Sequence, residues 1–433
     1  MIGRCLAILI GALLLATSLE AEPVQVVIKQ TSDGPVLYRE SQPFFIRGVG
    51  GATELEDLAK IGGNSFRTWG AEQLTETRVG DDGVERSLLD HAHRLGLTVA
   101  AGYWLGHPRH GFDYNDPKAV QAQLDRVRSF VETYKDHPAI LVWGIGNEVE
   151  IEGADYEQVF KAINDAARLV KSIDDAHPTM TVISEASPDK IHAFMRWCPD
   201  IDILGINSYG GLSTLGDRLR EIGLDRPWIA TEYGLLGHWE VSKSPWGAEY
   251  EMTSTQKAAF LEQSYAGSIS SSSGCLGGYA FFWGAKQECT ETWFGMLLAD
   301  GTPLQSVEVL QEQWGGQPEN RAPRVIGQMR SQVDPAAVPP GAPMRVSVEA
   351  RDPDGDALHY EWVLRRESTD RRKGGDLEDA PPALNPAFRV TNPGTTQFAA
   401  PKEPGAYRLF VTIRDGDWAA TANLPFYVKG TQQ

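Results

Sequence analysis

Cysteine is scarce in this chain, with four residues in 433. Cys5 lies in an N-terminal apolar stretch, so only Cys198, Cys275 and Cys289 remain beyond it, and an odd count excludes a complete disulfide framework. Cys275 and Cys289 are close in sequence, but residues 277–284 read as a strand between them. A strand of that length, at ~3.3 Å per residue, carries the chain far past the ~4.4–6.8 Å Cα separation of a disulfide, so no bridge is expected. Basic charge is also short: Lys and Arg total 40 against 58 Asp and Glu, for a formal net charge of −18. That balance argues against nucleic acid or anionic lipid as a partner and suits a soluble protein with a neutral substrate.

Long apolar runs are missing apart from residues 6–16. This run is roughly eleven residues, short of the ~20 that a membrane-spanning helix needs. It follows Arg4 and precedes the small residues Ala16, Thr17, Ser18 and Ala21, the pattern of a secretory leader over 1–21. Arg4, not a small-residue lipidation signal, precedes Cys5, so no lipid anchor is expected. The expectation is an exported protein, secreted or periplasmic, with no membrane span. Cofactor signatures are lacking too. Gly48-Val49-Gly50-Gly51-Ala52-Thr53 has no third glycine for a dinucleotide loop, and no His-x-His closes the first strand as a metal-dependent barrel hydrolase would require. No cofactor and no metal are expected, and His91 and His93, two apart on a predicted helix, cannot face one site.

The length exceeds the ~250–300 residues at which single cores stop growing, which predicts one large unit and one ordinary one. Residues 24–29 and 35–38 flank Ser32-Asp33-Gly34, a hairpin signal. From residue 44 the rhythm becomes strand then helix, with strands predicted at 44–49, 64–69, 97–104, 140–148, 180–184, 203–207, 228–232 and 278–283. Between them Val120, Leu124, Val127, Val131 and Tyr134 share a helix face, as do Tyr156, Val159, Phe160, Ile163, Ala167 and Val170. Asp116-Pro117 supplies an N-cap and a first-turn proline, and Thr253 with Gln256 a capping box. Near-continuous apolar strands alternating with helices call for a parallel sheet covered on both faces, and eight strands is the number of a (β/α)8 TIM barrel. This α/β barrel unit is expected over 22–316, with the hairpin at its start. A linker follows at 317–323, and 324–433 has the short alternating strands of an immunoglobulin-like β-sandwich. Few contacts are expected to cross the linker, so the sandwich reads as an independent accessory module, and its charged insert at 365–379 as a mobile loop. Asp352-Pro353-Asp354-Gly355-Asp356 reads as a turn with solvated acids in preference to a calcium loop.

Two strands end alike. Leu141-Val142-Trp143-Gly144-Ile145-Gly146-Asn147-Glu148 is an apolar run closing on an amide and a carboxylate, and Pro227-Trp228-Ile229-Ala230-Thr231-Glu232-Tyr233-Gly234 closes on a second carboxylate. At the C-terminal ends of strands four and seven, both would meet across the mouth of a barrel. With Asn207-Ser208-Tyr209, these motifs resemble the catalytic barrel of glycoside hydrolase family 2, and more distantly the β-1,3-glucanosyltransferases. The likeness spans roughly residues 44–314 and lacks the two β-domains that normally precede a family 2 barrel. The resemblance implies a retaining β-glycosidase with Glu148 as acid/base and Glu232 as nucleophile. It further implies Asn147 as donor to a sugar hydroxyl, Tyr209 as partner of the nucleophile, Arg67 as a cation beside it, and a strand-eight tryptophan, Trp283, beneath the sugar. A β-linked oligosaccharide or polysaccharide is the expected substrate. Asn207, from the third motif, and Trp69, Trp104 and Trp239, whose rings can stack on sugar C–H faces, complete the candidate binding residues. The segments 103–114 and 235–252, the latter with Trp239, Trp246 and Tyr250, are expected to wall an open cleft. Glu185, Glu150 and Glu240 compete for the carboxylate roles. A transglycosylase, or a catalytically silent carbohydrate-binding protein, is the alternative.

Overall fold

The computed structural model describes residues 23–430 apart from 152 and 385, so the expected leader lies outside the described residues. Eight parallel strands close into a barrel: Ile46–Gly50, Ser65–Arg67, Thr98–Tyr103, Ile140–Asn147, Thr179–Ser184, Ile203–Asn207, Trp228–Tyr233 and Cys275–Ala280, the last pairing with the first. Helices cover the outer face, so both faces of each strand are dry and apolar side chains suit every position. Strand four is buried along its whole length. The hairpin, Val26–Thr31 and Gly34–Arg39, plugs the end opposite the site. Val26 and Leu37 join Ile46, Leu141, Met180 and Ile229 in one buried cluster, and the Val26 N–H donates to the Ala176 carbonyl at 2.8 Å.

The predicted caps form. Asp116 accepts from the Lys118 N–H ahead of helix Pro117–Tyr134, and Thr253 and Gln256 exchange bonds at the start of Ser254–Ser264. Strand eight begins three residues before its predicted start and ends at Ala280. Gly277, at φ +115°, is pressed so closely on strand one that a Cβ there would lie 2.2 Å from the Ile46 carbonyl oxygen, so the glycines belong inside the strand and the aromatic run 281–283 lies past it. Cys198, Cys275 and Cys289 are free and buried, as expected.

Beyond residue 323, two antiparallel four-stranded sheets pack face to face around Val346, Leu364, Leu409, Val411 and Phe426. Asp352 Oδ1 accepts the backbone N–H groups of Asp354, Gly355 and Asp356, which is the geometry of a simple turn.

The expectation of few contacts across the linker is overturned. Ala322 is buried, with its N–H on Glu308, and Arg321 and Arg324 pair with that same carboxylate. Deeper in, Arg408 of the sandwich is 1% exposed. It grips Glu367, donates to Asn423, and reaches the backbone carbonyl of Glu249 in the barrel at 2.8 Å. Glu251, which holds the buried Lys257 at 2.6 Å, accepts from Asn423 of the sandwich at 2.7 Å. The segment 365–379 is no free loop either. Arg365 pairs with Glu291, Arg371 with Glu249, and Asp376 with Arg109, because its charges meet opposite charges on the barrel. Burying these charges is tolerable only while the two units stay docked. Arg408→Ala is expected to lower the stability of the whole chain by about 3–5 kcal/mol, read by urea unfolding. A loss below about 1 kcal/mol would show that the junction is not a shared core.

Candidate active site

The C-terminal ends of strands two, four, six and seven converge. Arg67, the last residue of strand two, is 2% exposed. Its guanidinium donates to Glu232 Oε1 at 3.0 Å, to the Thr231 carbonyl at 3.0 Å and to Asn147 Oδ1 at 2.6 Å. Glu232 Oε1 also accepts from the Trp69 indole N–H at 2.9 Å, and Oε2 from the Tyr209 hydroxyl at 2.8 Å. Burial and the neighbouring Glu232 charge hold the Tyr209 hydroxyl far above its ordinary pKa, so it stays a donor. Three donors on one carboxylate serve an anion.

Glu148 follows directly on strand four in the left-handed backbone region, at φ +50°, which only a surrounding structure that over-determines it sustains in a non-glycine residue. Asn207 Nδ2 donates to its Oε1 at 2.9 Å and to Asn147 Oδ1 at 3.2 Å, while Asn207 Oδ1 accepts from Thr231 Oγ1 at 2.8 Å. Because arginine only donates, Asn147 must turn its oxygen to Arg67, which leaves its NH2 as the part that can serve a substrate. Glu148 keeps some contact with solvent, yet protein surrounds it closely. That surround, and then the negative charges of Glu232 and Glu150, raise its pKa well above the 4.5 of an ordinary glutamate. One carboxylate surrounded by donors and one carboxyl with a raised pKa could together serve a double displacement at a glycosidic carbon.

The competing acids are spent on the scaffold. Glu185 pairs with Arg218 at 2.7 Å and accepts from Ser208 Oγ. Glu150 is buried on Lys190 and the N–H and hydroxyl of Ser184, and Glu240 accepts from the N–H groups of Gly210 and Gly237. Trp239 stands edge-on to Tyr209 at 5.5 Å and is 55% exposed, while Trp104 stacks on His107 at 4.7 Å. Burial, and then the Arg109 and His110 charges, push the His107 pKa down to about 4, so His107 is neutral.

Two expectations need correction. Trp283 has no exposed surface, and its indole N–H donates to the Thr53 carbonyl at 2.7 Å, so it supports the barrel rim and lies beneath no sugar. Phe281, the first residue past strand eight, is the aromatic of this run that reaches the site, edge-on to Trp69 and Tyr209. The segment 235–252 does not form one cleft wall, because Trp246 packs on Tyr427 of the sandwich at 6.0 Å and Glu249 and Glu251 turn to the interface.

His238, Glu249 and Cys289 bring ligand atoms within 4.8 Å of one another. However, Glu249 is already held by Lys243 and Arg371 at 3.1 Å each, and burial keeps the Cys289 thiol protonated, so the cluster is an ion-pair junction. Sequence reasoning missed Thr231 and Phe281. Only the position of Thr231, beside Glu232 at a strand end, carried a signal.

With this geometry in place, the model of the glycosyl hydrolases family 2 TIM barrel domain matches residues 88–316, more than half of the chain. The chain belongs to glycosyl hydrolase family 2. Among curated proteins, this family 2 chain is similar to the β-glucuronidase of Streptococcus agalactiae, at 25% identity over 208 residues, 43% of this chain and 34% of that enzyme. Among solved structures, a β-glucuronidase of Bacteroides uniformis superposes with a TM-score of 0.50 at 13% identity, over 93% of this chain and 48% of that one. A second, β-glucuronidase 2 of that organism covalently bound to cyclophellitol-6-carboxylate aziridine, gives 0.50 at 14% identity and the same coverage of 93% and 48%. The chain thus spans about half the length of these solved relatives.

The family 2 site yields a pH prediction. A proton donor is lost as pH rises through its folded-state pKa, so with Glu148 as the donor its raised pKa would set the alkaline limb of activity. Glu150→Gln removes a neighbouring negative charge and frees the Lys190 cation, and both changes favour ionised Glu148. The alkaline limb of kcat/KM should move to lower pH. An unchanged or upward-shifted limb would contradict the assignment of Glu148 as the proton donor.

Proposed function

We propose that this family 2 chain is an exported retaining β-glycosidase that cleaves O-glycosidic bonds of a β-linked oligosaccharide or polysaccharide. Glu232 attacks the anomeric carbon and Glu148 protonates the leaving oxygen, then deprotonates the incoming water. The observation that carries the reading is the asymmetry of the two carboxyl groups, one held by Arg67, Trp69 and Tyr209, the other crowded by protein and negative charge. Asn147 is the donor to the sugar hydroxyl beside the reacting carbon, while Trp104 and Trp239 offer ring faces to the substrate. The leader pattern of 1–21 supports export. A silent binding protein would have no use for an acid with a raised pKa opposite a donor-saturated base.

The test is a panel of p-nitrophenyl β-D-glycosides, with glucose, galactose, mannose and, from the names of the relatives, glucuronic acid as the sugar. Wild type should turn over at least one, and Glu232→Ala should lose nearly all activity on it, since no other group forms the covalent intermediate. Glu148→Ala should slow substrates with poor leaving groups by about 10²–10⁴-fold. On a dinitrophenyl glycoside it should give a burst of phenol and then a slow steady state, because departure of that group needs no proton but the second step needs a base. Like behaviour of the two variants, or a burst in Glu185→Ala instead, would overturn the roles.

A further inference from the structure

The sandwich sends residues 371–378 over the barrel mouth as a loop whose two ends meet, the Arg372 N–H donating to Glu378 at 2.9 Å, and whose tip and base are tied to different sides of the site. Toward strands three and four, the Asp376 carboxylate takes both terminal nitrogens of Arg109 at 3.0 and 3.2 Å and lies 3.2 Å from His110 Nε2. Arg109 also donates to the Lys373 carbonyl at 3.0 Å. Toward strand eight, Lys286 Nζ donates to the Gly375 carbonyl at 3.2 Å, and Glu378 accepts the Cys289 N–H at 2.7 Å. Toward strand seven, Arg371 holds Glu249 at 3.1 Å. Gly374, at φ +62°, lies so close that a Cβ would come within 2.7 Å of the Arg109 guanidinium and 3.3 Å of the Ile151 side chain, three residues past Glu148.

These anchors stand one step from the proposed catalytic and binding groups. Arg109 Nε donates to His107 Nδ1 at 3.4 Å, and the His107 ring stacks on Trp104, a proposed substrate-binding ring. Lys286 sits over the Phe281 ring at 5.9 Å, and Phe281 packs on Trp69 and Tyr209, the two neutral donors to Glu232. The tip is thus tied toward strands three and four and the base toward strands seven and eight, so the loop bridges two sides of the opening.

Resting on the glycosidase reading, we propose that residues 371–378 form a fixed strap that closes one end of the sugar site, latched by Arg109 and Asp376, so that the enzyme releases sugars from chain ends. An open cleft threads a chain through and can cut anywhere along it. A site blocked on one side admits only a terminus.

The experiment compares wild type, Asp376→Ala and Gly374→Val on a β-1,3-glucan, a β-1,4-glucan and a β-1,4-mannan. Products are sized by chromatography, and each rate is divided by the turnover of the best aryl glycoside. Wild type should release one short product with little loss of polymer viscosity. Both variants, which free or displace the strap without touching Glu148 or Glu232, should add a ladder of intermediate lengths, raising the internal-to-terminal ratio at least tenfold. A ladder from wild type, or variants with the wild-type product pattern, overturns the strap. Should Asp376→Ala unfold, Gly374→Val and the wild-type pattern still decide. Aryl-glycoside turnover without chain-end release sinks the strap alone, whereas no turnover of any substrate sinks the glycosidase reading and the strap with it.

Discussion

The buried guanidinium of Arg67 is the constraint on which the site depends. Taking a cation out of water costs several kcal/mol unless its donors are met, and here they are met by a carboxylate, a backbone carbonyl and an amide oxygen from strands four and seven. The Trp69 ring, 5.1 Å from the guanidinium, adds a π face. Satisfying this one charge fixes Glu232, forces Asn147 to turn its oxygen inward, and thereby sets the partner of Asn207, which in turn holds Glu148. The two carboxyl groups are therefore placed by one hydrogen-bonded chain, so a disturbance at Arg67 reaches both.

A second set of charges governs the surroundings. Arg408, Glu251 and Lys257 are buried where barrel and sandwich meet; Arg408 and Glu251 each add a hydrogen bond to the other unit, and Lys257 holds Glu251 in place. Docking is thus a condition of folding, and it positions the strap.

Much of the barrel was legible because burial on both faces writes each strand as an apolar run, and because a carboxylate closing such a run has no packing reason to be there. That is why Glu148 and Glu232 stand out in sequence and lie at the center of the geometry. Trp283 was misplaced by a register effect: the glycines of 277–278 fall inside strand eight, so the strand ends at Ala280 and the indole turns to Thr53. The strap was illegible for a different reason. Segment 365–379 is polar and charged, which reads as a solvated loop, while its partners Arg109, Glu249 and Glu291 lie 74–267 residues away in the chain. No local pattern records such pairings.

The central claim is that Glu232 forms a covalent bond to the sugar. The most direct measurement is mass spectrometry of the protein after incubation with a 2-deoxy-2-fluoro glycoside bearing a dinitrophenyl leaving group, followed by peptide mapping. The sugar is matched to the aryl glycoside that the enzyme turns over best. A single glycosyl adduct on Glu232 is the predicted result. An adduct on Glu148 or Glu185, or turnover of the aryl glycoside with inversion and no adduct, would contradict the account.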